Sequence, residues 1–293
     1  MTAALTEKAP AKINLSLRVV GRRADGYHEL ESLVVFAGVA DTLSLEPGAD
    51  AGLAIAGRYA AACGPDADNL VLKAQAALRT SVGRLEGGRF RLEKNLPVAA
   101  GIGGGSADAA AALRLLARVN GLPDDHPALA AAAFATGADV PVCLGSKACI
   151  MRGVGEILSA PVALPALPAV LANPGIPLST RDVFAAFAGM QGSETRLADV
   201  PDEAEALFAF LEVHGNDLTA PAVACAPAVG EVLETLAALP GARLARMSGS
   251  GPTCFALFDG VPQAEAAARQ LTAMRPGWWV EATRLGNAAE VLS

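Results

Sequence analysis

The chain has 293 residues, of which 52% are hydrophobic and 18% are charged, so it can bury a sizeable core and is not a disordered protein. This length suits two compact domains of roughly 100–200 residues each. The net charge of −7 argues against a general nucleic-acid-binding protein, because such proteins carry a basic surface that meets the phosphate backbone. A small anionic ligand is not excluded, since it needs only a local cluster of amides and one or two lysines.

The first half of the chain has patterns of both strands and helices. Residues 13–20 and 30–39 are predicted strands, and residues 42–45 form a third, short strand closed by a Pro-Gly turn. Asn69 is a suitable cap for a helix that follows it. Further along, we predict a strand at 90–94, a helix over 106–120, a short helix over 129–136, and two short strands near Cys149 and Val154.

The second half begins after a proline-rich stretch at residues 161–168, which is the predicted boundary between a domain of residues 1–160 and one of residues 161–293. Strands grouped with helices, without regular alternation, favour an α+β fold over a doubly wound parallel sheet. The elements predicted here are strands at 169–172, 243–247, 253–258 and 278–282, with a helix over 263–272 and others before residue 243.

The sequence shows no sign of a secreted, membrane-bound or metal-binding protein. Five cysteines and three histidines lack the spacings of disulfide frameworks or metal sites. The charged residues Glu7 and Lys8 near the start do not suit a signal peptide. The longest uncharged stretch, residues 158–178, contains five prolines, which would interrupt a membrane helix. We therefore expect a soluble, cytoplasmic protein without membrane contact.

A glycine-rich loop at residues 101–105 precedes the predicted alanine-rich helix. Four glycines in five residues allow the backbone to turn its N–H groups inward without obstruction by Cβ atoms. The first N–H groups of the helix lack internal partners and lie at the positive end of its dipole, which suits an anion. The loop matches neither the Walker A nor the G-x-G-x-x-G pattern. A plain turn is the alternative, but the strand, loop and helix in succession favour phosphate binding.

Three other segments contain polar residues in otherwise apolar surroundings. Lys12 and Asn14 lie on the same face of a strand, because the side-chain period is two. Asp139 is the one charged residue in the stretch 128–146, and it is either a helix-cap or turn residue or a general base kept ionised by a lysine. The small-residue loop at 248–253 is either a hairpin turn or a phosphate contact.

Five segments in fixed order carry a family resemblance. They are P-A-K-I-N-L at 10–15, D-G-Y-H-E-L at 25–30, the loop and its flanks at 97–107, G-A-D-V-P at 137–141, and M-S-G-S-G at 247–251. This set resembles the GHMP kinases, the superfamily of galactokinase, homoserine kinase, mevalonate kinase and phosphomevalonate kinase. The first two segments narrow the resemblance to the family that phosphorylates 4-diphosphocytidyl-2-C-methyl-D-erythritol. It implies an α+β, two-domain GHMP-kinase fold, with a ribosomal-protein-S5-like N-terminal and a ferredoxin-like C-terminal domain.

The resemblance also implies a reaction and its residues. ATP, accompanied by Mg²⁺, would phosphorylate the 2-hydroxyl of this substrate in the methylerythritol phosphate pathway to isoprenoid precursors. Asp139 would take the hydroxyl proton, and Lys12 would lie beside it and stabilise the reacting oxygens. The implied ATP-binding residues are Lys94, Pro97, Val98, Ala99, Ala100, Gly101, Ile102, Gly103, Gly104, Gly105, Ser106 and Ala107. The implied substrate-binding residues are Asn14, Tyr27, His28, Thr180 and Phe184.

Within the implied substrate site, Tyr27 and Phe184 would form the two aromatic walls around the cytosine, and His28 would hold the same end of the substrate. Cytosine stacks well on aromatic faces, and the chain has only thirteen aromatic residues. Without the resemblance, Phe184 reads as a core residue on a helix, and His28 as a residue that flanks the Asp25-Gly26 turn. Asn14 and Thr180 would contact the erythritol and diphosphate part.

The chain departs from the family pattern at three positions of the loop. Relatives commonly have glycine where Ala99 and Ala100 stand, and a second serine where Ala107 stands. Ser106 keeps one hydroxyl for a phosphate or metal contact, and the sequence shows no carboxylate pair that would hold Mg²⁺, so the metal ligands are not assigned.

Two alternatives stay open. One is another GHMP kinase, such as homoserine or mevalonate kinase. The other is a non-catalytic nucleotide- or RNA-binding module, against which the acidic charge and the presence of both Lys12 and Asp139 count. The expected partner is a small-molecule substrate rather than nucleic acid, and the chain is either a monomer or a homodimer.

Overall fold

A computed structural model describes residues 4–24, 26–48, 52–64, 68–187, 197 and 199–293. The described elements, in chain order, are β1 (Leu5–Asn14), β2 (Arg18–Arg22), β3 (His28–Pro47), β4 (Gly52–Ala56), a 3₁₀ turn (Ala60–Ala62), α1 (Leu70–Val82), β5 (Gly88–Glu93), α2 (Gly104–Val119), α3 (Pro127–Thr136), α4 (Val140–Gly145), β6 (Cys149–Gly153), β7 (Ile157–Leu158), β8 (Leu167–Asn173), α5 (Thr180–Phe187), α6 (Ala204–Val213), α7 (Thr219–Cys225), α8 (Ala228–Ala237), β9 (Ala242–Met247), β10 (Cys254–Phe258), α9 (Val261–Met274), β11 (Trp279–Gly286) and α10 (Ala288–Val291).

The chain separates into two compact units that are each built from several chain segments. The first unit contains Met1–Ala11, Ala40–Val98 and Gly103–Ser146. The second unit contains Lys12–Val39, Ala99–Ile102 and Lys147–Ser293. Each unit contains both helices and strands.

In the first unit, β5 pairs antiparallel with the last six residues of β3 and parallel with β4. Its side chains alternate between buried and exposed, as the two-residue period of a strand requires when one face meets the core. Helices α1, α2 and α3 pack against one another. The residues of α2 from Ala107 to Ala112 are all buried, and the small alanine side chains among them permit close approach of its neighbours.

The predicted cap of α1 is confirmed. Asn69 has an extended backbone, and its side-chain oxygen accepts a hydrogen bond from Val71 N at 3.0 Å. This bond satisfies one of the amides that have no partner within the helix. At the other end, Gly83 adopts a φ of 77° and its N–H bonds to Arg79 O. Local residues therefore determine both ends of α1.

In the second unit, β8 lies between β10 and β11 and is antiparallel to both. All seven of its residues are buried, which explains why it has a continuous apolar run rather than an alternating one. Strands β9 and β10 form an antiparallel hairpin around residues 248–253, so the hairpin interpretation of that loop is confirmed. The core includes Val170 of β8, Val183 of α5, Leu236 of α8 and Leu271 of α9.

The boundaries of the three strands predicted in the first fifty residues are wrong. The predicted strand at 13–20 is two strands, because β1 ends at Asn14 and β2 begins at Arg18. Leu15 and Leu17 are buried in between, and Leu17 bonds to Gly215 instead of continuing the strand. The strands predicted at 30–39 and 42–45 are one continuous strand, β3. Where both faces of a strand are buried, nearly all of its residues are apolar, so the sequence pattern does not show where the strand ends or continues.

The sequence patterns missed β4, α4 and α10, which have six residues or fewer. The uncharged stretch 158–178 contains the buried strand β8 and no helix. In the part of the chain that the structure describes, none of the helices is both long and apolar enough to cross a bilayer.

Candidate active site

A buried lysine–carboxylate cluster lies in the first unit. Lys94 Nζ donates to Asp41 Oδ2 at 2.5 Å and to Asp108 Oδ2 at 2.7 Å, and all three side chains are almost completely buried. Asp41 Oδ1 also accepts from the amides of Asn95 and Leu96, so it fixes the chain that leads into the glycine loop. A Cβ atom at Gly104 would lie 3.2 Å from Lys94 Nζ, which places the ammonium beside the first residue of α2.

The cluster shifts the protonation of its members. Burial raises the pKa of Asp108 to about 7, against the opposing effect of the Lys94 charge. Burial by itself would lower the pKa of Lys94, but the two carboxylates raise it overall. Lys94 therefore stays charged near neutral pH, and its predicted contact with the nucleotide stays a prediction.

The helix α2 begins within the glycine loop. Gly103 has a φ of 62° and the helix starts at Gly104, while Ala107 N makes the first helical hydrogen bond, to Gly103 O at 2.8 Å. The amides of Gly104, Gly105 and Ser106 precede that bond and belong to the turn that favours an anion. Of the loop, Pro97, Ala100, Ile102 and Ala107 are buried, Gly101, Gly103, Gly104 and Ser106 are half-buried, and Val98, Ala99 and Gly105 are exposed.

The loop residues of the second unit pack against the β9–β10 hairpin. Thr253 N donates to Ala100 O at 3.2 Å, and Ser248 Oγ donates to Gly101 O at 3.1 Å. Gly101 has a φ of 73°, and a Cβ atom there would lie 2.5 Å from Gly251 O. Only glycine meets both conditions without strain. Ala99 has a φ of 52°, in the left-handed region that favours glycine.

Lys12 and Asn14 are both buried next to these two loops. Lys12 N donates to Ile102 O at 2.8 Å. Asn14 N donates to Ser248 Oγ, and its side-chain nitrogen donates to Ser32 Oγ at 2.7 Å. Asn14 Oδ1 is buried and has no hydrogen-bond partner among the described residues. An unpaired buried acceptor is energetically costly, so Asn14 Oδ1 is well placed to accept a hydrogen bond from a bound molecule.

The hairpin loop also contacts the start of α5. The hydroxyl groups of Thr180 and Ser250 are 2.8 Å apart. The loop at 248–253 thereby links three predicted site residues of the second unit, namely Asn14, Gly101 and Thr180. Ser248 and Ser250 were not among the predicted site residues, although their small-residue loop was predicted to be either a hairpin turn or a phosphate contact.

His28 stacks on Phe184 in the second unit. Their ring centroids are 5.0 Å apart with an angle of 20° between the planes, and Phe187 meets His28 edge-on at 6.0 Å. Phe184 and Phe187 lie on α5 at helical spacing, but only Phe187 is buried. Tyr27 is 66% exposed. Gly26 of the predicted turn has a φ of 90°, while Asp25 lies outside the described residues.

Asp139 lies in the first unit, directly before α4. It is half-buried, and its backbone is in the helical region with a φ of −88°. Its side chain makes no hydrogen bond to the first turn of α4, so the carboxylate is not a capping group. Asp139 therefore occupies the helix-cap position in the turn before α4, as the cap-or-turn interpretation predicts, although its carboxylate makes no capping hydrogen bond. Its role as a general base stays a prediction.

The residues described by the structure contain no group of three or more His, Cys, Asp or Glu side chains that could hold a metal ion. Ser106 lies in the first turn of α2 and is half-buried, and its contact with a phosphate or a metal ion stays a prediction.

Comparison with known proteins identifies the family. The GHMP kinases N terminal domain matches residues 69–147, and the GHMP kinases C terminal domain matches residues 201–276. A 4-diphosphocytidyl-2-C-methyl-D-erythritol kinase of Rhodopseudomonas palustris (strain BisB5) is 55% identical, with 96% of this chain and 99% of the relative covered. The chain belongs to the 4-diphosphocytidyl-2-C-methyl-D-erythritol kinase family of the GHMP kinases. It is thus a member of a family of small-molecule kinases that use ATP.

Solved structures agree with this family. A crystal structure of a 4-(cytidine 5'-diphospho)-2C-methyl-D-erythritol kinase is 39% identical, with a TM-score of 0.76 over 96% of this chain and 99% of that one. A homoserine kinase from Cytophaga hutchinsonii has a TM-score of 0.72 over 98% of this chain and 96% of that one, at 16% identity, which shows the shared fold alone. The predicted α+β, two-domain GHMP-kinase fold is confirmed.

For a member of this kinase family, the predicted residues fall into two sets. Lys94, Asp139, Pro97, Val98 and the residues from Gly103 to Ala107 belong to the first unit; Lys12, Asn14, Tyr27, His28, Thr180, Phe184 and the residues from Ala99 to Ile102 belong to the second. Asp41 and Asp108 were missed, although Asp41 is the one charged residue of β3 between Glu31 and Glu46. The two matched domains lie on either side of residue 160, and the exact division there stays a prediction.

Proposed function

We propose that the chain transfers the γ-phosphate of ATP to the 2-hydroxyl of 4-diphosphocytidyl-2-C-methyl-D-erythritol, in the methylerythritol phosphate pathway to isoprenoid precursors. The observation that carries this proposal is the match, over nearly the whole of both chains, with relatives of that name. The chain contains the residues that the family resemblance assigns to catalysis and to the diphosphocytidyl substrate, while its ATP loop departs from the family pattern at Ala99, Ala100 and Ala107. The absence of nucleic acid among its partners stays a prediction, which the net charge of −7 supports.

The phosphates of ATP would bind at the start of α2. The amides that precede the first helical hydrogen bond, together with the positive end of the helix dipole, offer fixed donors to phosphate oxygens. Lys94 adds a buried positive charge beside Gly104 and is held there by its two carboxylates. Phosphoryl transfer depends mainly on such positioning and charge stabilisation, because the protein has little covalent chemistry to perform.

The Ser106 hydroxyl would be available to a phosphate oxygen or to a Mg²⁺ ion bound together with ATP. When bound, Mg²⁺ would neutralise charge on the phosphate oxygens. The acceptor would be oriented by the buried Asn14, whose unpaired Oδ1 can accept a hydrogen bond from a substrate hydroxyl. Asp139 would accept the proton of the reacting hydroxyl, and Lys12 would stabilise the reacting oxygens.

The direct test measures phosphate transfer from radiolabelled ATP to three acceptors: the diphosphocytidyl substrate, mevalonate and homoserine. We expect kcat/KM for the diphosphocytidyl substrate to exceed that for the other two by at least about 100-fold. A preference for mevalonate or homoserine would assign the chain to another GHMP kinase. If a well-folded preparation transferred no phosphate to any acceptor, the binding-module alternative would be favoured.

The role of Asp139 has its own test. Asp139→Asn is expected to bind ATP normally and to lower kcat by at least about 100-fold, the usual scale for loss of a general base. Asp124→Asn, at an exposed carboxylate of the same unit, makes the same charge change and should leave kcat within about twofold. Single-turnover kinetics and ATP titration separate chemistry from binding. A near-normal kcat in Asp139→Asn would remove Asp139 from this role.

A further inference from the structure

The position of Asp139 depends on the short helix α4. This helix has only six residues and begins directly after Asp139. The backbone carbonyl of Asp139 accepts a hydrogen bond from Cys143 N at 3.2 Å, so its peptide group is part of the first helical turn. A helix of this length is not stable by itself in water, because the free-energy cost of nucleating a helix exceeds the stabilisation from its few hydrogen bonds. Tertiary contacts must therefore hold α4, and with it Asp139, in place.

Arg114 of α2 binds the carboxyl end of α4. Its Nη1 donates to Cys143 O at 3.0 Å and to Leu144 O at 3.3 Å. These carbonyls are among the last four of α4, which have no partner within the helix. A cation at this end also interacts favourably with the helix dipole. Ser146 Oγ adds a second donor to Cys143 O at 2.6 Å.

The same guanidinium is anchored on β1. Arg114 Nε donates to Glu7 Oε2 at 3.0 Å, and Nη2 donates to Lys8 O at 3.1 Å. One planar group therefore joins α2, β1 and α4, and all of these contacts lie within the first unit. The rigid fork of an arginine can hold several acceptors in fixed directions, whereas a lysine amine cannot reproduce that geometry.

We propose that Arg114 is a positioning residue for phosphoryl transfer, which fixes α4 and, through its backbone, the carboxylate of Asp139. This role depends on the base function proposed for Asp139 above. A displacement of about 1 Å can slow a positioned reaction by about 100-fold even when the mutated residue is far from the chemistry. Loss of the Arg114 fork should therefore lower kcat and leave the KM values for ATP and acceptor unchanged.

Arg118 offers a matched control on the same helix. It lies one turn further along α2 and binds the same carboxylate, with Nη2 2.7 Å from Glu7 Oε1 and 3.3 Å from Thr6 O. Both of these acceptors are on β1. Arg118→Met thus removes a guanidinium and its contacts to β1, but it leaves the contacts of Arg114 with α4 intact.

The first experiment compares steady-state kinetics and thermal unfolding of Arg114→Met, Arg114→Lys and Arg118→Met. We expect Arg114→Met to lower kcat about 10- to 100-fold with both KM values within about threefold of normal. Arg118→Met should keep kcat within about twofold, and Arg114→Lys, which keeps the charge, should lose about three- to tenfold. An unchanged kcat in Arg114→Met, or an equal loss in both methionine variants, would overturn the proposal. If Arg114→Met does not fold, the lysine variant decides, and a loss of less than about twofold there would overturn it.

The second experiment tests whether Arg114 acts through Asp139. The double variant Arg114→Met/Asp139→Asn should be no more than about threefold slower than Asp139→Asn, because residues that act as a unit are not additive. Multiplied losses would show that Arg114 acts independently of Asp139 and would overturn the positioning role. A failure of the base function would instead appear as a near-normal kcat in Asp139→Asn itself, so the two failures are distinguishable.

Discussion

His28 and Phe184 form a stacked pair, and the imidazole of His28 can form hydrogen bonds. Burial, and then the nearby charge of Arg22, lower the pKa of His28, so its imidazole is neutral near pH 7. A neutral imidazole has one donor and one acceptor nitrogen, which suits the edge of a nucleobase. Phe184 is half-buried, and Tyr27, next to His28 in the sequence, is largely exposed. These three residues are the proposed contacts to the cytidine end of the substrate.

Removing either proposed aromatic wall should weaken binding of the diphosphocytidyl substrate specifically. We expect Tyr27→Ala and Phe184→Leu each to raise its KM by at least about tenfold, equivalent to about 1.4 kcal/mol, with the KM for ATP unchanged. Leucine at position 184 preserves most of the apolar packing of α5. Phe134→Ala, at an exposed phenylalanine of α3, is the control and should change neither KM. Unchanged KM values in both site variants would contradict the cytidine assignment.

At the scale of elements, the glycine-rich loop is held in place by parts of the chain that are remote in sequence. Residues 100–102 bond to the β9–β10 hairpin and to the backbone of Lys12, so the loop is held by other elements as well as by its glycines. Gly101 permits the close approach to the hairpin backbone. Ala99 accepts a left-handed conformation that costs an alanine about 1 kcal/mol, which these contacts must offset.

Gly101→Ala should disrupt the loop. Its Cβ atom would lie 2.5 Å from Gly251 O and 2.8 Å from Ser248 O, at a backbone φ that already disfavours alanine. We expect a loss of about 2–4 kcal/mol in the free energy of unfolding, together with a raised KM for ATP. Gly277→Ala adds the same methyl group where nothing lies within 4 Å, and it should change stability by less than about 1 kcal/mol. Urea unfolding and ATP kinetics check both variants; normal stability of Gly101→Ala would contradict the proposed packing.

At the scale of the whole molecule, stability includes a buried ion network in the second unit. Glu31 accepts hydrogen bonds from Arg18 and Arg152, each at 2.8 Å, and from the amide of Leu197 at 2.8 Å. These contacts connect β2, β3 and β6 with the chain at residue 197. Burial would raise the pKa of Glu31, but the hydrogen bonds from Leu197 and Arg152 and the charges of Arg152 and Arg18 lower it overall.

This network should make stability fall in acid. Because the pKa of Glu31 is lower in the folded than in the unfolded protein, its carboxylate adds stability above the unfolded pKa and loses it as the pH falls through the folded pKa. Glu31→Gln should lose about 3 kcal/mol at pH 7, because it removes the carboxylate charge that pairs with the buried Arg18 and with Arg152, and it should show a smaller further loss in acid.

Urea unfolding between pH 7 and pH 3 measures this difference. Glu205→Gln, at an exposed carboxylate paired with Arg243, is the control and should leave both the stability at pH 7 and the acid profile close to those of the wild-type chain. Parallel acid profiles for the wild-type chain and Glu31→Gln would show that Glu31 is not a source of the pH dependence.

Sequence patterns predicted the start of α1 and both ends of α2 and α9 to within a few residues, because caps and apolar periods are local properties. They failed for β1 and β3, since burial on both faces removes the alternation that marks a strand boundary. The local pattern around Asp139 could not distinguish a cap or turn residue from a base. The structure places Asp139 at the cap position without a capping hydrogen bond from its carboxylate, and the base role stays a prediction.

The sequence by itself determined the family, the glycine-rich turn before α2 and the residue types available for phosphoryl transfer, because each is encoded by neighbouring residues. Only the tertiary structure decided how the buried charges are paired. Lys94 meets Asp41, 53 residues away, and Arg114 reaches both Glu7 and the end of α4. The physical reason is that a charged side chain does not specify its partner in the sequence. Folding selects that partner because a buried charge without hydrogen bonds and a counter-charge is too costly to keep.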